Sequence, residues 1–180
     1  MGPVRIRIAV LLLYACIFLP GCGSRYKPED AFATEERHSS EVSVRLTAYK
    51  ERRAFGQALG GAYYVFEAKN KDDQNWNKFL IVANDDLEPI NKDNLALVNE
   101  KTAYGFMLKQ FAVTTDAGKT WSISDLSKLD STKADPGCRI EKVSVTETGT
   151  GTMNVKCGNS ERVLATRDFG VTWPGPNSLN

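Results

Sequence analysis

The segments Thr114-Thr115-Asp116-Ala117-Gly118-Lys119-Thr120-Trp121 and Thr166-Arg167-Asp168-Phe169-Gly170-Val171-Thr172-Trp173 share one pattern, Thr-x-Asp-x-Gly-x-Thr-Trp. Each residue type suits a tight β-turn. The Asp side chain can accept backbone N–H bonds across the turn. The Gly takes positive φ where the chain reverses. The second Thr prefers the strand that follows, and the Trp packs back over the turn. Both segments are therefore expected to join two strands.

Working outward, the flanking sequence reads as strands. Val42, Val44 and Leu46 alternate with polar residues, the period of a half-buried strand. The runs 63–68, 79–83, 95–98, 104–108, 111–115, 120–124, 139–146, 152–157 and 162–166 are of strand length. Polar loops separate them at 69–78 and 84–94, and a polar connection covers 125–137. Residues 49–59 are ambiguous and could hold a turn or two of helix. Short strands with turn residues between them predict an all-β domain.

The repeated motif resembles the Asp box of sialidases and other β-propeller proteins, where it joins the last two strands of a blade. The resemblance implies structural roles for Thr114, Asp116, Gly118, Thr120 and Trp121, and for Thr166, Asp168, Gly170, Thr172 and Trp173. It implies two or three blade-like antiparallel sheets, a small or incomplete propeller. A closed propeller takes four or more blades of roughly 40 residues. The resemblance says nothing about activity, because the box is structural.

Near the start, Arg5 and Arg7 precede an apolar run from Ile8 to Leu19, followed by Pro20-Gly21-Cys22. A basic start, a short apolar stretch and a small residue before the break describe a secretory signal. The stretch is shorter than the roughly 20 residues that span a bilayer. With its cysteine, the segment resembles a bacterial lipoprotein signal, although Pro20 departs from that pattern. The resemblance implies cleavage after Gly21, lipidation of Cys22 and anchoring to the periplasmic side of the envelope. Gly23 and Ser24 follow with no Asp, which implies the outer membrane. The expected organisation is a signal over 1–21, a flexible tether over 22–40 containing the single His38, and one domain over 41–180.

Loss of Arg5 and Arg7 with the signal would turn the net charge from +1 to −1. That balance gives no electrostatic footprint for nucleic acid. Of the four cysteines, Cys16 would leave with the signal and Cys22 would carry lipid. Cys138 and Cys157 are expected to form a disulfide in an oxidising compartment. The alternatives are two buried thiols or, with too few ligands nearby, a metal site. With its one histidine in the tether, the chain lacks a Ser/His/Asp set or a His-based metal centre. Asp72-Asp73 and Asp85-Asp86-Glu88 lack the spacing of a calcium loop. No cofactor and no catalytic residues are expected.

Binding is the remaining class. Trp76 stands between Asn75 and Asn77 in a polar loop. It is either an interface anchor or a ring folded back on its own sheet. The partner contacts expected are Trp76, Asp72, Asp73, Asp85, Asp86 and Glu88. A lipoprotein signal, one small β domain, Asp boxes and no catalytic set together resemble the immunity lipoproteins of type VI secretion phospholipase effectors. The resemblance implies a lipase toxin as partner, neutralised by occlusion. An envelope assembly or scaffold lipoprotein is the alternative, and a glycan-binding module a third.

Overall fold

The computed structural model describes residues 26–52, 58–129 and 137–174. Within them the chain is all-β, with three short 3-10 turns and no α-helix. Strands β1 (Ala31–His38), β2 (Val42–Arg52), β3 (Ala58–Asn70) and β4 (Asn77–Asn84) form a first sheet. Strands β5 (Leu95–Leu97), β6 (Ala103–Met107), β7 (Gln110–Thr114) and β8 (Ser122–Asp125) form a second. Strands β9 (Cys138–Val145), β10 (Gly151–Cys157) and β11 (Ser160–Thr166) form a third. Every pairing is antiparallel and between consecutive strands. None of the three sheets closes into a barrel.

The alternation that marks β2 is what packs the first sheet. Val42, Val44, Leu46 and Ala48 face the same way as Ala62, Tyr64, Phe66 and Ala68 of β3, and all are buried against Leu95, Ala103 and Met107 of the second sheet. The second sheet is sandwiched. All five residues of β6 are buried. Ala103 and Met107 face the first sheet, while Tyr104 and Phe106 join Phe111, Val113, Ile140, Val143, Met153, Val155 and Leu164 in a second core against the third sheet. Gly105 permits the first contact to be close. A Cβ there would lie 2.7 Å from Cε1 of Phe66.

The residues expected to form a tether behave differently. Tyr26 stacks on Tyr49 with ring centroids 4.6 Å apart. Asp30 is buried and accepts from the backbone N–H of Lys27 at 2.9 Å. Residues 31–38 then pair with β2 from Ala31↔Tyr49 to His38↔Ser43. The tether boundary of 22–40 is thus corrected, because ordered chain begins by Tyr26. His38 lies on this edge strand, its ring against the Ser43 hydroxyl at 3.0 Å. The other ambiguous stretch, 49–59, is strand on both sides, with β2 running to Arg52 and β3 starting at Ala58. Residues 53–57 lie outside the described residues, as do the signal segment, Cys16 and Cys22.

Cys138 opens β9 and Cys157 closes β10, and the register sets them directly opposite each other. Their Sγ atoms are 1.97 Å apart, a disulfide, with a sequence separation of 19. Both are buried in the second core. Closing a loop of this length is worth about 3 kcal/mol in the chain-entropy model. Replacing both cysteines by Ala should lower the thermal midpoint by roughly 10 °C. A thermal melt of the double variant beside the oxidised parent checks this, and a shift under a couple of degrees would show that the bridge contributes little.

Candidate partner-binding surface

The two repeated turns have one hydrogen-bond pattern. In the first, Thr114 Oγ1 donates to Asp116 Oδ1 at 2.8 Å and accepts from the Gly118 N–H at 2.9 Å. Asp116 Oδ1 accepts from the Thr120 N–H at 2.9 Å, and Oδ2 from the Thr120 hydroxyl at 2.6 Å. In the second, Thr166, Asp168, Gly170 and Thr172 repeat these contacts at 2.6, 2.9, 3.0 and 2.6 Å. Gly118 and Gly170 take φ of 84° and 92°, the left-handed region expected of them. Each loop also leans on its own sheet. The Ala117 N–H donates to Lys101 O and the Phe169 N–H to Gly149 O, both carbonyls in the hairpin joining that sheet's first two strands.

Each tryptophan closes against the sheet before its own. Trp121 stacks on Phe79 of β4, with centroids 3.6 Å apart and planes 5° from parallel. Trp173 meets Phe111 of β7 edge-on at 5.2 Å. Its Nε1 is the one buried side-chain nitrogen or oxygen without a partner among the described residues. The two repeated turns therefore clamp sheet to sheet. Desolvation pushes the carboxyls of Asp116 and Asp168 upward, but hydrogen bonds from Thr120 and Thr114, and from Thr166 and Thr172, outweigh it. Both carboxyls are held below the usual range.

The acidic candidates fall at two places. Asp72 and Asp73 sit in the β3–β4 hairpin, and Asp85, Asp86 and Glu88 follow β4. These are opposite ends of an eight-residue strand, roughly 23 Å apart at a strand's rise of about 3.3 Å per residue. In the first loop the Asp73 carboxylate serves the turn, while the Asp72 side chain is exposed. Asn70 Oδ1 accepts from the Asp72 and Asp73 N–H groups at 3.0 and 3.1 Å, and Asp73 Oδ2 accepts from Asn77 Nδ2 at 3.2 Å. Trp76 is half-buried, with the Arg45 guanidinium 4.3 Å from its ring centre. Arg45 in turn donates to the buried Glu67 at 2.6 Å. The ring is folded back on its own sheet.

The second loop is held rigid from beneath. The buried Tyr64 hydroxyl donates to Glu88 O at 2.8 Å and accepts from the Glu88 N–H at 2.6 Å. Burial raises the pKa of Tyr64, so it stays a neutral donor. Buried Asn94 accepts from the Asn91 N–H at 2.7 Å and donates to Phe106 O at 3.1 Å. Asn84 Nδ2 caps Asp86 O at 2.9 Å. With its backbone fixed, the loop presents Asp85, Asp86 and Leu87, the last 47% exposed. Beside it, Arg139 bonds Glu141 at 2.6 Å and approaches Glu88 at 3.8 Å. Alternation puts Arg139 and Glu141 on the outward face, and a bulge at Glu141, opposite Asn154 and Val155, leaves Lys142 outward as well.

Arg139 also borders two clefts at this end of the molecule. One of about 370 Å³ lies between Ile81–Asn84, Leu108–Gln110 and Gly137–Arg139, where all three sheets contribute. The smaller, about 130 Å³, runs from Glu88 to Glu141. Tyr64, Asn94 and Arg139 were not singled out from the sequence. The Tyr64–Glu88 and Asn94–Phe106 bonds span 24 and 12 residues, which no local pattern marks, and Arg139 reaches Glu88 across 51 residues besides its local bond to Glu141. Among the described residues no group of three His, Cys, Asp or Glu side chains is arranged to hold a metal ion. Comparison with protein-family models, curated proteins and solved structures finds no match to this chain.

Two outcomes follow from the geometry. A carboxyl lowered in the folded state stabilises above its unfolded pKa of about 3.9, and that contribution is lost as pH falls through the folded value. The thermal midpoint should be flat from pH 7 to about 5 and fall below about 4. Asp168→Asn should be less stable at pH 7 by about 1–3 kcal/mol and lose less on acidification, as denaturation across pH would read. Tyr64→Phe keeps the ring in the core but orphans both Glu88 backbone groups, at a cost of about 1–3 kcal/mol. Hydrogen exchange should speed up over 85–91 and remain slow in β6.

Proposed function

We propose that the protein is a lipid-anchored binding protein of the bacterial envelope that neutralises a lipase toxin by occluding it, without chemistry of its own. The observation that carries the reading is the preorganised acidic loop after β4. A loop held in place by Tyr64 and Asn94 loses little further entropy when a partner docks. Exposed Leu87 beside Asp85 and Asp86 supplies an apolar contact within a negative rim. Such a rim suits a basic patch around the mouth of an active site, with steering by charge and affinity from a few buried contacts.

The repeated turns support the finer reading of the three sheets as blades of a small, open propeller. The second and third sheets share the order of strands, hairpin and box, and each box clamps onto the sheet before it. In this reading the boxes and the disulfide make a stiff support, and the loops between sheets meet the partner. Asp73 and Trp76 serve their own sheet, which favours the 84–94 loop as the docking element.

The mature domain should co-purify with the lipase-like product of an adjacent gene and abolish its activity on phospholipid vesicles. Asp85→Lys with Asp86→Lys should slow association by roughly tenfold at low salt and flatten its salt dependence. If the paired domain neither binds nor inhibits that lipase, the immunity reading is wrong. Capture of an envelope-assembly component through the same loop would assign the surface to scaffolding.

A further inference from the structure

The anchor reading places lipid on Cys22, and only Gly23, Ser24 and Arg25 separate that residue from Tyr26. Tyr26 is already part of the fold. Its ring stacks on Tyr49 at 4.6 Å and lies 5.5 Å from Tyr63. Lys78 Nζ sits 5.4 Å from the ring centre and donates to the Tyr26 hydroxyl at 3.3 Å. These side chains belong to the face of the first sheet turned away from the second. Tyr64 and Phe66 point into the main core, while Tyr63 and Val65 turn to the other face, where both are buried too, and of the pair Val65–Ile81 only Ile81 is open. Ile81 is 50% exposed.

We infer that the rim of the first sheet around Tyr26, Lys78 and Ile81 is the membrane-facing side of the anchored protein, lying against the phospholipid headgroups. The inference rests on lipidation of Cys22. Four residues, fully extended, reach at most about 14 Å. An anchored domain therefore cannot swing free, and the surface around Tyr26 is the part the leash holds nearest the bilayer. That surface carries an amphipathic stem and ammonium at Lys78 beside the apolar Ile81, the pair of properties an interfacial layer accepts. The third sheet is the farthest layer. Its outer positions Lys142 and Lys156 are exposed and face away from the membrane in this orientation.

The test uses the full chain, lipidated in cells and reconstituted into phosphatidylethanolamine–phosphatidylglycerol vesicles, with Cys22→Ala behind an ordinary cleavable secretory signal as the soluble control. Lysine acetylation rates are read by mass spectrometry on protein that floats with the vesicles. Lys78 should react several-fold more slowly on vesicles than in the control, while Lys142 and Lys156 react at unchanged rates. A flexible Gly/Ser linker of about 20 residues inserted after Ser24 should restore the Lys78 rate without loss of flotation. Flotation with Lys78 as reactive as in the control would overturn the orientation and leave the anchor standing. A wild-type chain that does not float would overturn both.

Discussion

The approach of the Phe66 ring to the bare backbone of Gly105 governs how the first two sheets meet. With no side chain on Gly105, the ring lies where a Cβ would be within 2.7 Å. The second sheet consequently sits between two cores and has no free face along β6. A strand buried on both sides cannot be patterned as polar and apolar in alternation, and Ala103-Tyr104-Gly105-Phe106-Met107 is apolar throughout. Ala103, Gly105 and Met107 turn toward one neighbour, and the aromatic Tyr104 and Phe106 toward the other. A Cβ at 105 would fall 2.7 Å from the Phe66 ring and 3.2 Å from Leu95 Cδ1, so those packed side chains or the spacing of the sheets would have to give.

The repeated turns depend on that stacking. Their side-chain bonds are local, within four residues of Thr114 or Thr166. Their tryptophans, however, find partners only because the preceding sheet is already at packing distance. The same motif therefore does two jobs at different ranges. It reverses the chain, and it carries a large flat side chain across to the neighbouring sheet. The two copies differ at this second job. Trp121 lies flat on Phe79, whereas Trp173 meets Phe111 by its edge.

How much of this is legible in the sequence varies with range. The boxes are legible because every bond that defines them lies inside an eight-residue window. The all-β class and most strand positions are legible for a related reason, the short-range alternation within each strand. β1 is not. An edge strand needs no apolar stripe, and Thr34-Glu35-Glu36-Arg37 pairs through backbone and charge, so it reads as solvated chain. β8 starts at Ser122, later than alternation suggests, because the Thr120 N–H and hydroxyl are committed to Asp116. At the candidate surface the charges are visible but the scaffold is not. That Tyr64 holds Glu88 depends on a tertiary contact, and nothing near Trp76 announces that Arg45 will occupy its ring.

Among the described residues each strand forms its backbone ladder only with the strands next to it in sequence. No described pairing waits for a distant partner to arrive, so the loops to be closed are short and their entropic cost low. For an all-β chain this is low contact order, which favours fast formation. Each sheet can be assembled as its own stretch of polypeptide becomes available, the first sheet before the third exists. The Cys138–Cys157 pair lies wholly within one hairpin of the last sheet. Its oxidation therefore has no wrong register to compete with, and the bond records a sheet already made.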